Sequence, residues 1–153
     1  MVDCLLTILV NQICRLFSTH QTPDSIITHG TFVTVGDNGI ILTSTDNGTS
    51  WTLRERHTRF NLTGVSYGNG TFLVVMNWDF ILTSTDNGTT WIPRTSNTSP
   101  LYGVTYGNGT FVGVGKNGVI VTSTDNGTSW THRLNTNEGW ITSNTLTGVT
   151  FSQ

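Results

Sequence analysis

The chain has 153 residues, only 10% of them charged, a formal net charge of -2, and 17 glycines, 5 tryptophans and 7 phenylalanines. This length holds one domain with a core and excludes two comfortable ones, while so weak a charge gives no electrostatic footprint for nucleic acid or an anionic membrane. Scarce Lys and Glu with abundant Thr, Val, Ile and aromatic residues favour strands joined by tight turns, and regularly recurring apolar residues argue against disorder.

Residues 1–28 match no repeat and read as a leader. Cys4 and Cys14 both fall there, and two thiols in a peripheral segment make neither a disulfide framework nor a zinc site. No metal or other cofactor is expected. The apolar stretch from Leu5 to Val10 follows Asp3, where a signal peptide would carry positive charge, and no clean small-residue cleavage pattern succeeds it. It is also far too short to span a bilayer. A packed or frayed leader is the expectation, with no membrane span.

From residue 29 to 153 the chain repeats itself. Three segments align without a gap: Gly30-Thr31-Phe32 through Trp51, Gly70-Thr71-Phe72 through Trp91, and Gly109-Thr110-Phe111 through Trp130. The aspartates Asp46, Asp86 and Asp125 give spacings of 40 and 39 residues, a period that suits four short strands per unit. In the first unit, Phe32-Val33-Thr34-Val35 leads through Asp37-Asn38-Gly39 into Ile40-Ile41-Leu42-Thr43-Ser44. Asn-Gly between β-branched runs predicts a hairpin, because both turn residues tolerate positive φ. The third unit repeats this with Lys116-Asn117-Gly118; the second departs, with Asn77-Trp78-Asp79. A further strand precedes units two and three, at Gly64-Val65-Ser66-Tyr67 and Gly103-Val104-Thr105-Tyr106, each turning through Gly-Asn-Gly.

The strongest motif, Ser-Thr-Asp-Asn-Gly-Thr-(Ser/Thr)-Trp, occurs at residues 44–51, 84–91 and 123–130. Its chemistry accounts for its spacing. Asp46, Asp86 and Asp125 can accept hydrogen bonds from N–H groups of their own turns, and Gly48, Gly88 and Gly127 supply a positive φ. Ser44, Ser84 and Ser123 open the motif, and Trp51, Trp91 and Trp130 are expected to fold back and bury their rings beneath the hairpins. The pattern resembles the Asp-box, or BNR, repeat of β-propellers such as sialidases, sortilin-type receptors and photosystem II assembly factor-like propellers, and the overall texture is more similar to the assembly-factor-like propellers and bacterial surface repeats than to sialidases. The resemblance implies an all-β fold of three consecutive four-stranded blades, an incomplete ring in a single chain.

In the resembled blades strands run A to D outward from a central channel. The A–B and C–D turns then share one face, and the B–C and D–A loops share the other. The near-identical turns of this chain fall on the first face, and its irregular loops on the second, where binding is expected. Candidate binding residues are those that break the repeat: Trp78 and Asp79; Arg56, His57, Arg59 and Phe60; and Asn135, Asn137, Glu138 and Trp140. Two tryptophans in such loops can stack on a sugar or anchor a protein partner, or simply pack on a neighbouring loop. Arg54, Arg94 and Arg133 recur three positions after each motif Trp, so they read as a shared blade contact or a solvated outer strand. The Asn-x-Ser/Thr triplets match glycosylation acceptors, yet read mostly as by-products of turn chemistry.

Catalysis is not expected. A sialidase needs an arginine cluster, a Tyr–Glu pair and a proton-transferring acid, and other glycosidases need two opposed carboxylates. Within the repeats, apart from the recurring arginines, there are Arg56 and Arg59 on one loop; Tyr67, Tyr102 and Tyr106 are on or beside repeated A strands; Glu55 and Glu138 are the two glutamates. The expected role is therefore a non-catalytic interaction module for protein or glycan, in a secreted or cell-surface setting, with a structural piece of a longer propeller or surface array as the alternative and a glycosidase as a more distant one.

Propellers close with about four to eight blades, so three need company. Leu146-Thr147-Gly148-Val149-Thr150-Phe151 reads as one more A strand, whereas Ser25-Ile26-Ile27 is a poor A strand for the first unit. Either strand exchange between two copies completes a ring of six blades, or further blades belong to a longer chain.

Overall fold

The computed structural model describes residues 30–133 and 142–153. Its strands form three antiparallel sheets. The first contains β1 (Phe32–Val35), β2 (Ile41–Ser44) and β3 (Thr52–Leu53); the second contains β4 (Leu62–Gly68), β5 (Thr71–Met76), β6 (Phe80–Ser84) and β7 (Ile92–Thr95); the third contains β8 (Leu101–Gly107), β9 (Thr110–Gly115), β10 (Ile120–Ser123) and β11 (Thr131–His132). Each sheet is a meander in chain order. The three do not close into a ring among the described residues, so they are successive blades of an open arc.

Asn-Gly pairs set the turns. Asn38-Gly39, Asn47-Gly48, Asn69-Gly70, Asn87-Gly88, Asn108-Gly109, Asn117-Gly118 and Asn126-Gly127 all have positive φ at both residues. That is the mirror-image turn whose twist suits adjoining strands. The register follows from it: Tyr67 pairs with Phe72 and Tyr106 with Phe111 across β4–β5 and β8–β9. Both of these ladders shift register after their first residue, between Leu62 and Gly64 and between Leu101 and Gly103.

Blades pack face to face, and β5 shows why a continuous apolar run was needed there. It is buried along its whole length, with successive side chains pointing to opposite sides. Phe72, Val74 and Met76 join Ile41, Leu62, Leu82 and Trp91 in the core between the first two blades. Leu73 and Val75 join Ile81, Leu101, Phe111, Val119 and Val121 in the core between the second and third.

At the inner end, A strands touch through glycines. Gly64 approaches Gly103, and Gly103 approaches Gly148. Residues 146–151, expected as an A strand, run along β8 in this way but pair with no β-strand among the described residues. The leader expected over residues 1–28 lies outside the described residues.

Candidate functional site

The Ser-x-Asp turns are built alike in all three blades. The Ser44 hydroxyl donates to Asp46 Oδ1 at 2.7 Å and accepts from the Gly48 N–H at 2.9 Å. The Ser50 N–H donates to Asp46 Oδ1 at 2.9 Å, and its hydroxyl to Oδ2 at 2.6 Å. Asp86 with Ser84 and Thr90, and Asp125 with Ser123 and Ser129, repeat the arrangement. The hydroxyl of the residue before each Trp is the largest cause holding these carboxyls at a pKa of about 2, followed by that residue's N–H. Charge-assisted bonds of this kind favour the ionised form. At neutral pH these aspartates are fixed acceptors that organise a turn, without a proton to give.

The tryptophans that follow do not share one fate. Trp51 and Trp91 each fold back so that the indole N–H reaches the carbonyl of Gly48 or Gly88, at 3.1 Å in both. Trp91 is only 4% exposed, whereas Trp51 is 43% exposed. The expectation that each motif buries its own ring thus fails for Trp51. The reason is that burial comes from the neighbouring blade: Gly88 packs on Thr43 and Val33, and Trp91 belongs to the core shared with the first blade. Trp130 is half-buried against the core between the second and third blades, and its indole N–H has no partner among the described residues.

The recurrent arginines are a shared blade contact. Arg54, Arg94 and Arg133 each donate through Nε to a threonine hydroxyl of the preceding strand: Thr43 at 2.8 Å, Thr83 at 3.1 Å and Thr122 at 2.8 Å.

The two turn classes separate onto two faces. On the first, the Asn69 amide of an A–B turn donates to Asn126 of the next blade's Asp turn at 3.1 Å. On the second, B–C turns meet D–A loops. The Asn38 N–H donates to Asn61 Oδ1 and the Asn77 N–H to the Asn61 carbonyl, each at 3.1 Å. The Asp79 carbonyl accepts from both the N–H and hydroxyl of Ser96, each at 2.8 Å.

The irregular second blade gathers most on this face. Phe60 and Trp78 stack with ring centroids 4.8 Å apart and planes 4° from parallel, and both remain exposed. Beside them lies a groove of about 210 Å³ lined by His57, Thr58, Phe60, Met76, Phe80, Leu82 and Pro93. Arg56 and Arg59 are exposed on the same loop but line no part of the groove among the described residues, and Asp79 is exposed beside Trp78. The Asn135, Asn137, Glu138 and Trp140 candidates lie outside the described residues.

Sequence reasoning missed Met76, Phe80 and Pro93, although aligning the repeats shows each as a departure. Met76 stands where the other units have Gly36 and Gly115, Phe80 where they have Ile40 and Val119, and Pro93 where they have Leu53 and His132.

No protein-family model matches the chain, and no curated protein matches it. Solved structures do. "YCF48 bound to D1 peptide" is 21% identical, with 73% of this chain aligned to 40% of that one at a TM-score of 0.61. YCF48 from Cyanidioschyzon merolae is 22% identical, with 72% of this chain aligned to 38% of that one, also at 0.61. The chain therefore spans about 40% of the length of these structures. At such identity the likeness speaks for the fold: this chain is an arc of antiparallel β-propeller blades.

Proposed function

We propose that this chain is a non-catalytic interaction module of the Asp-box propeller type. It binds a polypeptide segment on the face formed by its B–C and D–A loops, at the groove beside Phe60 and Trp78. The observation that carries this reading is the exposed Phe60–Trp78 stack bordering a groove whose floor is Met76, Phe80, Leu82 and Pro93. Aromatic anchors beside an apolar depression are what fully desolvated protein contacts are made from. Fixing Trp78 against Phe60 in advance reduces the ordering cost of binding. His57 at the rim adds a polar group that can orient a peptide carbonyl or carboxylate.

Protein is favoured over glycan by the groove's chemistry. A sugar ring stacks on an indole but also needs hydrogen-bonding side chains around its hydroxyls, and the floor here is apolar. The similar YCF48 structure with a D1 peptide fits the use of such a fold for holding a peptide. The hydroxyl and N–H bonds gripping Asp46, Asp86 and Asp125 support the Asp-box reading, which makes them structural and not catalytic.

The test is binding of the full chain to an array of short peptides containing Leu, Pro and aromatic residues, in parallel with a glycan array. Trp78→Ala and Phe60→Ala are expected to weaken peptide capture at least ~10-fold, as loss of an anchor does, without unfolding the protein. Glycan binding lost in Trp78→Ala would replace the ligand class. Peptide binding unchanged in both variants would overturn the site.

A further inference from the structure

We propose that residues 146–151 form an acceptor edge for β1 of a second copy of this chain, exchanged reciprocally so that two arcs complete one ring. This goes beyond the peptide-binding reading and does not depend on it.

The C-terminal segment repeats, contact for contact, the D–A loop and A strand that lead into the second blade. Thr58 packs its carbonyl against Gly39, and Thr142 packs its carbonyl against Gly118. The Thr58 hydroxyl accepts the Phe60 N–H at 3.1 Å; the Thr142 hydroxyl accepts the Asn144 N–H at 3.0 Å. The Leu62 N–H bonds to the Gly36 carbonyl at 3.1 Å; the Leu146 N–H bonds to the Gly115 carbonyl at 3.0 Å. Gly103 meets Gly148 as Gly64 meets Gly103, and Phe151 covers Gly107 as Tyr106 covers Gly68. Residues 142–151 thus hold the shape of the start of another blade.

What that start requires is defined by the two complete blades. Both A strands carry a B strand on their outer edge, and in both the A-strand aromatic meets the B-strand phenylalanine: Tyr67 with Phe72 at 4.6 Å and Tyr106 with Phe111 at 4.8 Å. Phe151 occupies the A-strand position and is 38% exposed; Phe32 occupies the B-strand position of the first blade and is 52% exposed. Among the described residues β1 pairs with β2 alone. Among the described residues each copy therefore shows one half of an aromatic pair at each flank, with the chain directions that an antiparallel ladder needs. Extending the β4–β5 and β8–β9 register places Phe151 opposite Phe32, Thr150 opposite Val33 and Val149 opposite Thr34 of the other copy. Reciprocal exchange satisfies both flanks at once, which is the self-complementary arrangement of a two-fold dimer, and it covers edges that would otherwise recruit strands indiscriminately. The three described blades of each copy then make a ring of six, within the span of about four to eight that propellers adopt.

The experiment uses the full chain with Cys4→Ser and Cys14→Ser, so that introduced thiols report alone. Light scattering at micromolar concentration is expected to give twice the 16.7 kDa of one chain. Adding Val33→Cys and Thr150→Cys is expected to yield an interchain disulfide under mild oxidation, and Phe151→Asp to return the protein to one chain's mass. A single-chain mass for the parent protein overturns the proposal, as does a crosslink between the two introduced thiols within one chain. A dimer that survives Phe151→Asp and fails to crosslink also overturns it, because the copies then meet elsewhere. Should Phe151→Asp fail to fold, the crosslink result on its own decides between these outcomes.

Discussion

Tyr106 lies directly on Gly68, so closely that a methyl group at Gly68 would sit 2.0 Å from Cγ of the ring. The ring cannot be displaced freely, because its other contacts are with Phe111 and the core between the second and third blades. Gly68→Ala is therefore expected to destabilise the fold by about 1–3 kcal/mol, the cost of overpacking, read as a lowered denaturant midpoint. Gly70→Ala meets nothing within 4 Å but has φ +73, so its cost comes from backbone strain alone. Comparing the two separates steric conflict from the conformational requirement.

The motif tryptophans offer a second comparison. Trp91→Ala removes a ring buried between two blades and should cost about 3–5 kcal/mol. Trp51→Ala removes a ring with the same local turn but 43% exposure, and in the isolated chain should cost less than half as much. Equal losses would mean that the turn itself, and not the neighbouring blade, holds the indole. In a dimer of the proposed kind Trp51 would be covered, so the measurement belongs at concentrations where the mass is known.

Acid should loosen the turns in a defined window. Asp46, Asp86 and Asp125 have folded pKa values of about 2, against an ordinary value of 3.8. A depressed carboxyl binds fewer protons folded than unfolded, so its stabilisation is complete above the unfolded value and declines as pH falls towards the folded one. Melting temperature should hold steady from neutrality to about pH 5 and fall between about pH 4 and 2. Asp86→Asn should shrink that fall; an unchanged profile in the variant would show that Asp86 does not contribute to it.

The Phe60–Trp78 stack predicts coupling without a large stability role. Both rings are exposed, so each single alanine variant should remain folded, while a double-mutant cycle should return about 0.5–1.5 kcal/mol of interaction. Additive losses would mean that the rings contribute independently and that Trp78 is not held in place by Phe60.

Local chemistry is what one strand of sequence can dictate, and here it dictated a great deal. Asn-Gly pairs impose positive φ wherever they occur, and a Ser-x-Asp turn is closed by atoms within four residues of the aspartate. The hairpins, their faces and the repeated blade were therefore legible from residues 30–133, as was the recurrence of Arg54, Arg94 and Arg133, though not their threonine partners. Trp51 and Trp91 could not be told apart in this way, because they follow the same motif and differ only in what the adjacent blade places against them. The Phe60–Trp78 stack joins residues on separate loops, and its groove takes Met76 and Pro93 from strands where the repeat alignment marks them as departures without placing them beside Phe60. Those outcomes belong to packing between blades: burial is a property of two surfaces, and one surface's sequence does not specify the distance to the other.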